Sequence, residues 1–167
     1  MPPMFRFAAK FALALLVAAV ATHAPTARAV DEKDLLPVDQ AFALQAHAIA
    51  HDRIALTWKI APGYYLYRHR ASVEGLEGGS LSMPAGHKKH DEFFGDVETY
   101  RGPVVIRVPL PAATPGRTLT LHADSQGCAD VGVCYPPNPQ VLEVALPASG
   151  GKPGPYVEAA SRKSWLK

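Results

Sequence analysis

The chain has 167 residues, of which 48% are hydrophobic and 19% charged, with a formal net charge of +2 and only two cysteines. That length suits one domain with its own hydrophobic core and excludes a mini-protein held together by several disulfides. Three basic residues (Arg6, Lys10, Arg28) and no acidic ones lie in the first 29 positions, so the remainder is slightly acidic; with no basic cluster larger than His87-Lys88-Lys89-His90, it offers no nucleic-acid or anionic-membrane surface.

The N-terminal segment has the order of a targeting signal. MPPMFRFAAK supplies Arg6 and Lys10, Phe11 to Ala21 is an apolar run too short to span a bilayer, and THAPTARA ends in the small-x-small pattern Ala27-Arg28-Ala29. Residues 1–29 are therefore read as a cleaved secretory signal with Val30 as the first mature residue, an uncleaved anchor being the competing reading. The mature part contains no run that qualifies as a transmembrane helix. The compartment is then one where thiols meet oxidants and disulfide exchange.

From Val30 to Leu146 short β-rich runs alternate with Gly, Pro, Asp and Asn, without helical periodicity. Strands are predicted at Ala41–Ala50, Arg53–Ile60, Tyr64–Arg70, Val104–Val108, Thr118–Ala123 and Val141–Leu146. In the second of these, Ile54, Leu56 and Trp58 alternate with Ala55, Thr57 and Lys59, the period of a sheet with one buried face. The predicted class is all-β, an immunoglobulin-like β-sandwich. Residues 74–102, rich in Gly, charge and the aromatics of DEFFGDVETY, read as a long irregular excursion of the functional kind. Residues 147–167, PASGGKPGPYVEAASRKSWLK, read as a flexible tail with a short helix near Val157 to Lys163.

Cys128 and Cys134 sit in GCADVGVCYPP at 127–137. Asp130-Val131-Gly132 can turn the chain back so that the two sulfurs meet. So small a loop contributes only about 2.4 kcal/mol as a staple, and Pro136 and Pro137 deny it the helix N-terminus that activates a thioredoxin-type dithiol. Spacing alone favours a structural disulfide in a secreted domain over a redox pair. A metal clip joining the thiols to His87, His90 or His122 is the weakest of the three, since no paired C-x₂-C motif is present.

GCADVGVCYPP, taken together with APGYYLYR at 61–68 and HDEFFGDVETYRG at 90–102, resembles the periplasmic N-terminal domain of the DsbD thiol:disulfide interchange family, with LLPVDQAFAL and LTWKI extending the likeness from about Leu35 to Leu146. The resemblance turns the reading of the cysteines from staple to redox pair. It implies a sandwich with a cap loop over a cysteine-bearing hairpin, in a periplasmic protein. Its pair receives electrons from a membrane reductase through a thioredoxin-like donor and passes them to oxidised thioredoxin-fold proteins, such as a disulfide isomerase or a cytochrome c maturation thioredoxin. No cofactor and no resident metal are implied. Residue by residue, Cys134 takes the intermolecular role and Cys128 the resolving one, Asp91 and Glu92 are the acidic pair near the sulfurs, and Phe93 is the cap. Tyr65 and Tyr67 line the site, and Tyr135 follows the second cysteine.

The family's membrane helices and thioredoxin-like domain have no counterpart in the 167 residues, so the expectation is a free-standing domain fed in trans, or a fragment. Two readings from other classes stay beside the relay: a non-catalytic protein-binding module whose disulfide is structural, and copper or zinc handling through the His87 to His90 segment.

Overall fold

The computed structural model describes residues 32–161; the expected signal at 1–29 and the end of the tail lie outside the described residues. The strands are β1 (Phe42–Ala50), β2 (Arg53–Ile60), β3 (Tyr64–Tyr67), β4 (Ser72–Glu74), β5 (His87–Asp91), β6 (Gly95–Tyr100), β7 (Pro103–Pro109), β8 (Thr118–Asp124), β9 (Gly127–Ala129), β10 (Gln140–Ala145), β11 (Val157–Glu158) and β12 (Ala160–Ser161). A single helical turn, Val38–Ala41, follows Pro37 and leads into β1.

Period-two alternation builds the sandwich. One sheet has the order β11-β1-β2-β7 and a second the order β12-β10-β8-β4, all pairs antiparallel. Phe42, Leu44, Ala46 and Ala48 of β1 and Ile54, Leu56, Trp58 and Ile60 of β2 point inward with Val104, Ile106 and Val108 of β7; Leu119, Leu121, Leu142 and Val144 of the other sheet belong to the same buried cluster. Each large side chain buried here contributes about 1.5–3 kcal/mol. The all-β sandwich expected from the sequence is the observed fold.

A third antiparallel sheet, β5-β6-β3-β9, carries the chemistry. Its central strand YYLY is buried at all four positions, because each of its faces is covered. Tyr64 and Leu66 join the main core with Tyr100 and Ala129. Tyr65 and Tyr67 face the other way and form a second cluster with Cys128, against which Phe94 and Val97 pack.

Three expectations are corrected. The excursion at 74–102 contains a regular hairpin, β5 and β6, which escapes pattern reading because HKKHD lies at a sheet edge and has no apolar alternation. The strand predicted over Tyr64–Arg70 stops at Tyr67, and Arg68–Arg70 form a 3₁₀ turn. Where a short helix was expected after Val157, the chain instead adds β11 to the edge of β1 and β12 to the edge of β10.

Candidate functional site

Strand β9 brings the first cysteine against β3, with Cys128 opposite Tyr65 in register. This approach requires Gly127: a side chain there would collide with the Tyr65 carbonyl and the Phe42 ring. After Ala129 the chain turns back through Gly132, whose φ of 89° lies in the left-handed region. The turn is closed by Ala129 N–H to the Val133 carbonyl at 2.8 Å and Gly132 N–H to the Ala129 carbonyl at 3.0 Å. Cys134 thereby returns opposite Cys128 as an antiparallel bridge. The two are joined in a disulfide with Cα atoms 3.9 Å apart, nearer than the usual range of about 4.4–6.8 Å.

The two sulfurs have different surroundings. Cys128 is fully buried, at 0% exposure, whereas Cys134 is exposed. The Tyr67 hydroxyl lies 3.3 Å from Cys128 Sγ and donates to Asp91 Oδ2 at 2.7 Å. Burial pushes the Tyr67 hydroxyl far above the ordinary phenol value, and the bond to Asp91 adds to this. Burial also acts to raise the Asp91 carboxyl, but the Tyr67 hydroxyl, the N–H groups of Phe93 and Phe94 and the Lys89 ammonium outweigh it, so Asp91 sits below the usual carboxylate value.

Asp91 ends β5 and caps its turn. Its Oδ1 accepts from Phe93 N–H at 3.0 Å and Phe94 N–H at 3.3 Å, a local carboxylate-to-backbone turn that Gly95, at φ 69°, completes. Two aromatics leave this tip in different directions. Phe94 packs edge-on to Tyr67 with ring centroids 5.0 Å apart. Phe93 is 74% exposed, so packing in the core, the competing reading for it, is not what the structure has. Glu92 is exposed beside it.

Tyr65 and Tyr67 stand edge to face at 5.5 Å, and Lys89 Nζ lies 3.7 Å above the Tyr65 ring. Tyr135 follows Cys134 in the chain, but its ring turns from the sulfurs toward Phe42 and Tyr64, and its hydroxyl donates to the Leu36 carbonyl at 2.6 Å. Burial pushes its hydroxyl up to about 12, with Tyr64 adding to the effect. Of the residues expected at the site, the structure thus gathers Cys128, Cys134, Tyr65, Tyr67 and Asp91. Glu92 and Phe93 stand at the hairpin tip, and Tyr135 belongs to the edge of the main core.

Four contributors were not named as site residues from sequence: Phe94, Lys89, Arg101 and Asp130, the last of them read only as a turn residue. The last two form a bidentate pair, Arg101 Nη1 to Asp130 Oδ2 at 2.8 Å and Nη2 to Oδ1 at 2.6 Å. Asp130 also donates its N–H to the Gly63 carbonyl at 2.8 Å. The loop between the cysteines is therefore fastened to β3 and to the end of β6. Adjacency to Phe93 was the available signal for Phe94; the long-range pair had none.

The metal reading finds no cluster. His87 and His90 are three apart on β5 and so project from opposite faces, and His90 Nδ1 is engaged by Asp96 at 2.8 Å. Among the described residues no group of three or more His, Cys, Asp or Glu is gathered as a metal site. None of the helices among them is long and apolar enough to cross a membrane.

Residues 32–146 match the family model described as the N-terminal part of the thiol:disulfide interchange protein DsbD. The chain is 43% identical over 161 residues to DsbD of Ralstonia nicotianae, covering 92% of this chain and 26% of that protein. It is 39% identical over 134 residues to DsbD 2 of Pseudomonas aeruginosa, covering 78% and 22% respectively; it thus spans about a quarter of these relatives. Among solved structures, the reduced N-terminal domain of Neisseria meningitidis DsbD superposes with a TM-score of 0.64 at 30% identity, covering 78% of this chain and all of that one. The complex between the DsbD N-terminal and PilB N-terminal domains of the same organism matches with a TM-score of 0.54 at 34% identity, covering 66% and 87%. With its cysteine pair on the hairpin and a family match running from the first turn to the last core strand, the chain belongs to the DsbD N-terminal domain family of thiol:disulfide interchange proteins.

Proposed function

We propose that this domain is a periplasmic electron relay. It accepts electrons from a thioredoxin-like donor served by a membrane reductase and delivers them to oxidised thioredoxin-fold proteins, a disulfide isomerase or a cytochrome c maturation thioredoxin, through Cys134 with Cys128 as resolver. The observation that carries this reading is the asymmetry of the pair: Cys134 is an exposed residue and Cys128 a fully buried one. In charging, a donor thiolate attacks Cys134 Sγ, the Cys128–Cys134 bond breaks, and the electron pair leaves on Cys128. The donor's second thiol then attacks the donor sulfur of the mixed disulfide and releases Cys134, leaving the pair reduced and the donor oxidised. Discharge reverses these steps on an acceptor disulfide.

The protein supplies proton control and geometry. Because Asp91 is ionised at neutral pH, the one hydroxyl proton of Tyr67 is committed to it, and the oxygen turns lone pairs toward Cys128. That arrangement suits a protonated Cys128 and leaves Cys134 to act as the first thiolate. Phe93 is the cap in this reading. It is held by a hairpin tip and not by the core, so moving it over or away from the disulfide costs no buried packing. The complex formed by the Neisseria relative supports a second protein domain as the partner class.

The test is trapping. Cys128→Ser, reduced and incubated with an oxidised thioredoxin-fold protein, accumulates a mixed disulfide through Cys134 that reductant dissolves on a gel; Cys134→Ser accumulates much less. Equal or better trapping by Cys134→Ser reverses the roles. If neither variant traps, the pair is a structural disulfide in a binding module.

A further inference from the structure

From residue 32 to residue 161 acidic residues outnumber Lys and Arg by 14 to 11, yet one groove is basic. It has a volume of about 800 Å³ and is lined by Arg68, His69 and Arg70 of the 3₁₀ turn, by Lys88, Lys89 and His90 of β5, by the apolar Phe94 and Val97, and by two carboxylates, Asp96 and Glu98, so its four Lys and Arg outnumber its acids. Several of these cations are already engaged. Arg68 reaches Glu98 at 3.5 Å and the carbonyls of Met83 and Pro84, Lys89 is 3.6 Å from Asp91, and His90 pairs with Asp96.

Arg70 and Lys88 differ. Both are exposed, and among the described residues neither has a carboxylate at ion-pair distance. The Arg70 guanidinium instead lies 4.6 Å over the Phe94 ring. That ring packs on Tyr67, whose hydroxyl touches Cys128 Sγ, so the floor of the groove is one aromatic layer from the disulfide. Arg70 also borders a smaller cleft of about 230 Å³ lined in addition by Asp124 and by Gln126 and Pro137, which flank the cysteine loop.

We infer that this groove receives an acidic stretch of the partner protein lying a few residues from the partner's own reactive cysteine. The inference rests on the relay reading above. Uncommitted cations over an apolar floor favour a chain that carries carboxylates along with some hydrophobic contact, and in a domain of opposite overall sign they steer such a chain to this face. An extended segment covers about 3.3 Å per residue, so carboxylates two to five residues from the attacked sulfur lie about 7 to 17 Å from it along the partner chain.

The probes are short cysteine peptides activated as 2-pyridyl disulfides, with either two glutamates or two lysines placed two to five residues from the cysteine. Reduced protein attacks the peptide sulfur through Cys134, a mixed disulfide forms, and pyridine-2-thione leaves and is read by absorbance. Cys128 then displaces the peptide thiol and regenerates the protein disulfide, so each cycle oxidises one dithiol and reduces one activated disulfide. Rates are expressed for every variant relative to its rate with neutral 2,2′-dipyridyl disulfide, which cancels changes in the thiols themselves.

The expected result is an acidic-over-basic preference of about tenfold at about 20 mM salt that approaches parity at about 0.5 M. Arg70→Glu/Lys88→Glu abolishes or inverts the preference, while Arg107→Glu/Arg117→Glu, an equal charge change at exposed positions elsewhere, retains it. A wild-type protein without preference overturns the groove, as does an equal loss in both double variants, which would assign the effect to the whole molecule's field. Failure of the reduced protein to attack even 2,2′-dipyridyl disulfide overturns the relay reading and the groove with it.

Discussion

Asp91 is the single residue on which most of the site's polar contacts converge. It is buried and anchors the Tyr67 hydroxyl, two backbone N–H groups and Lys89. Replacing it by Asn removes a negative charge near the sulfurs and frees the tyrosine proton to donate to a thiolate. The absorbance titration of the reduced pair is expected to move about one pH unit lower in Asp91→Asn, and much less in Glu92→Gln, whose exposed charge is screened. An unmoved curve in Asp91→Asn would detach this carboxylate from the thiols. The same variant has a stability signature. The native carboxyl titrates below its unfolded value of about 3.9, so its contribution is complete above that pH and fades as pH falls through the native value. The wild-type advantage in unfolding free energy over Asp91→Asn, read from urea titration and about 1.5–3 kcal/mol at neutral pH for bonds to a charged group, should therefore shrink only in that acid window.

Among the elements, strands with an alternating buried face were legible and strands without one were not. Ile54, Leu56 and Trp58 announce β2 because alternation reports a one-sided core, and β1, β7, β8 and β10 follow to within a residue or two. His87 to Asp91 make a strand that pairs with β6 without an alternating apolar face, so nothing in HKKHD reveals it. The site was legible through its resemblance, which brought Cys128, Cys134, Tyr67 and Asp91 onto one list; Arg101 and Asp130, 29 positions apart, meet only in the fold. Their fork holds the loop that carries Cys134, and on the relay reading it thereby sets how readily the two sulfurs meet. Arg101→Gln is expected to lower the effective concentration of one sulfur at the other about tenfold, which makes the reduction potential about 30 mV less negative in a glutathione titration. A potential unchanged within a few millivolts would mean that the backbone bonds of the turn suffice.

For the molecule as a whole, the last described residues close both sheets. Glu158 and Val157 pair with Gln45 and Ala46 at one edge, Ser161 and Ala160 with Gln140 and Val141 at the other, and Gly154 N–H bonds the Ala48 carbonyl between them. Such covers keep strand edges from pairing with other chains. A chain ending at residue 152 is expected to lose amide-exchange protection at Gln45, Ala46, Gln140 and Val141 and to melt about 5 °C lower, with its disulfide chemistry retained. Full protection in the shortened protein would show that these strands add nothing to the edges they flank.

On the relay reading, the fully buried Cys128 governs how partners reach the domain. With Cys128 buried and Cys134 the exposed member of the pair, that reading has a donor and an acceptor use the same doorway, so that neither enters while the other is inside. On the relay reading the domain works as a turnstile. It admits one partner per half-cycle, makes the two compete for a common face, and keeps the reducing side of the chain from ever touching the oxidised side directly.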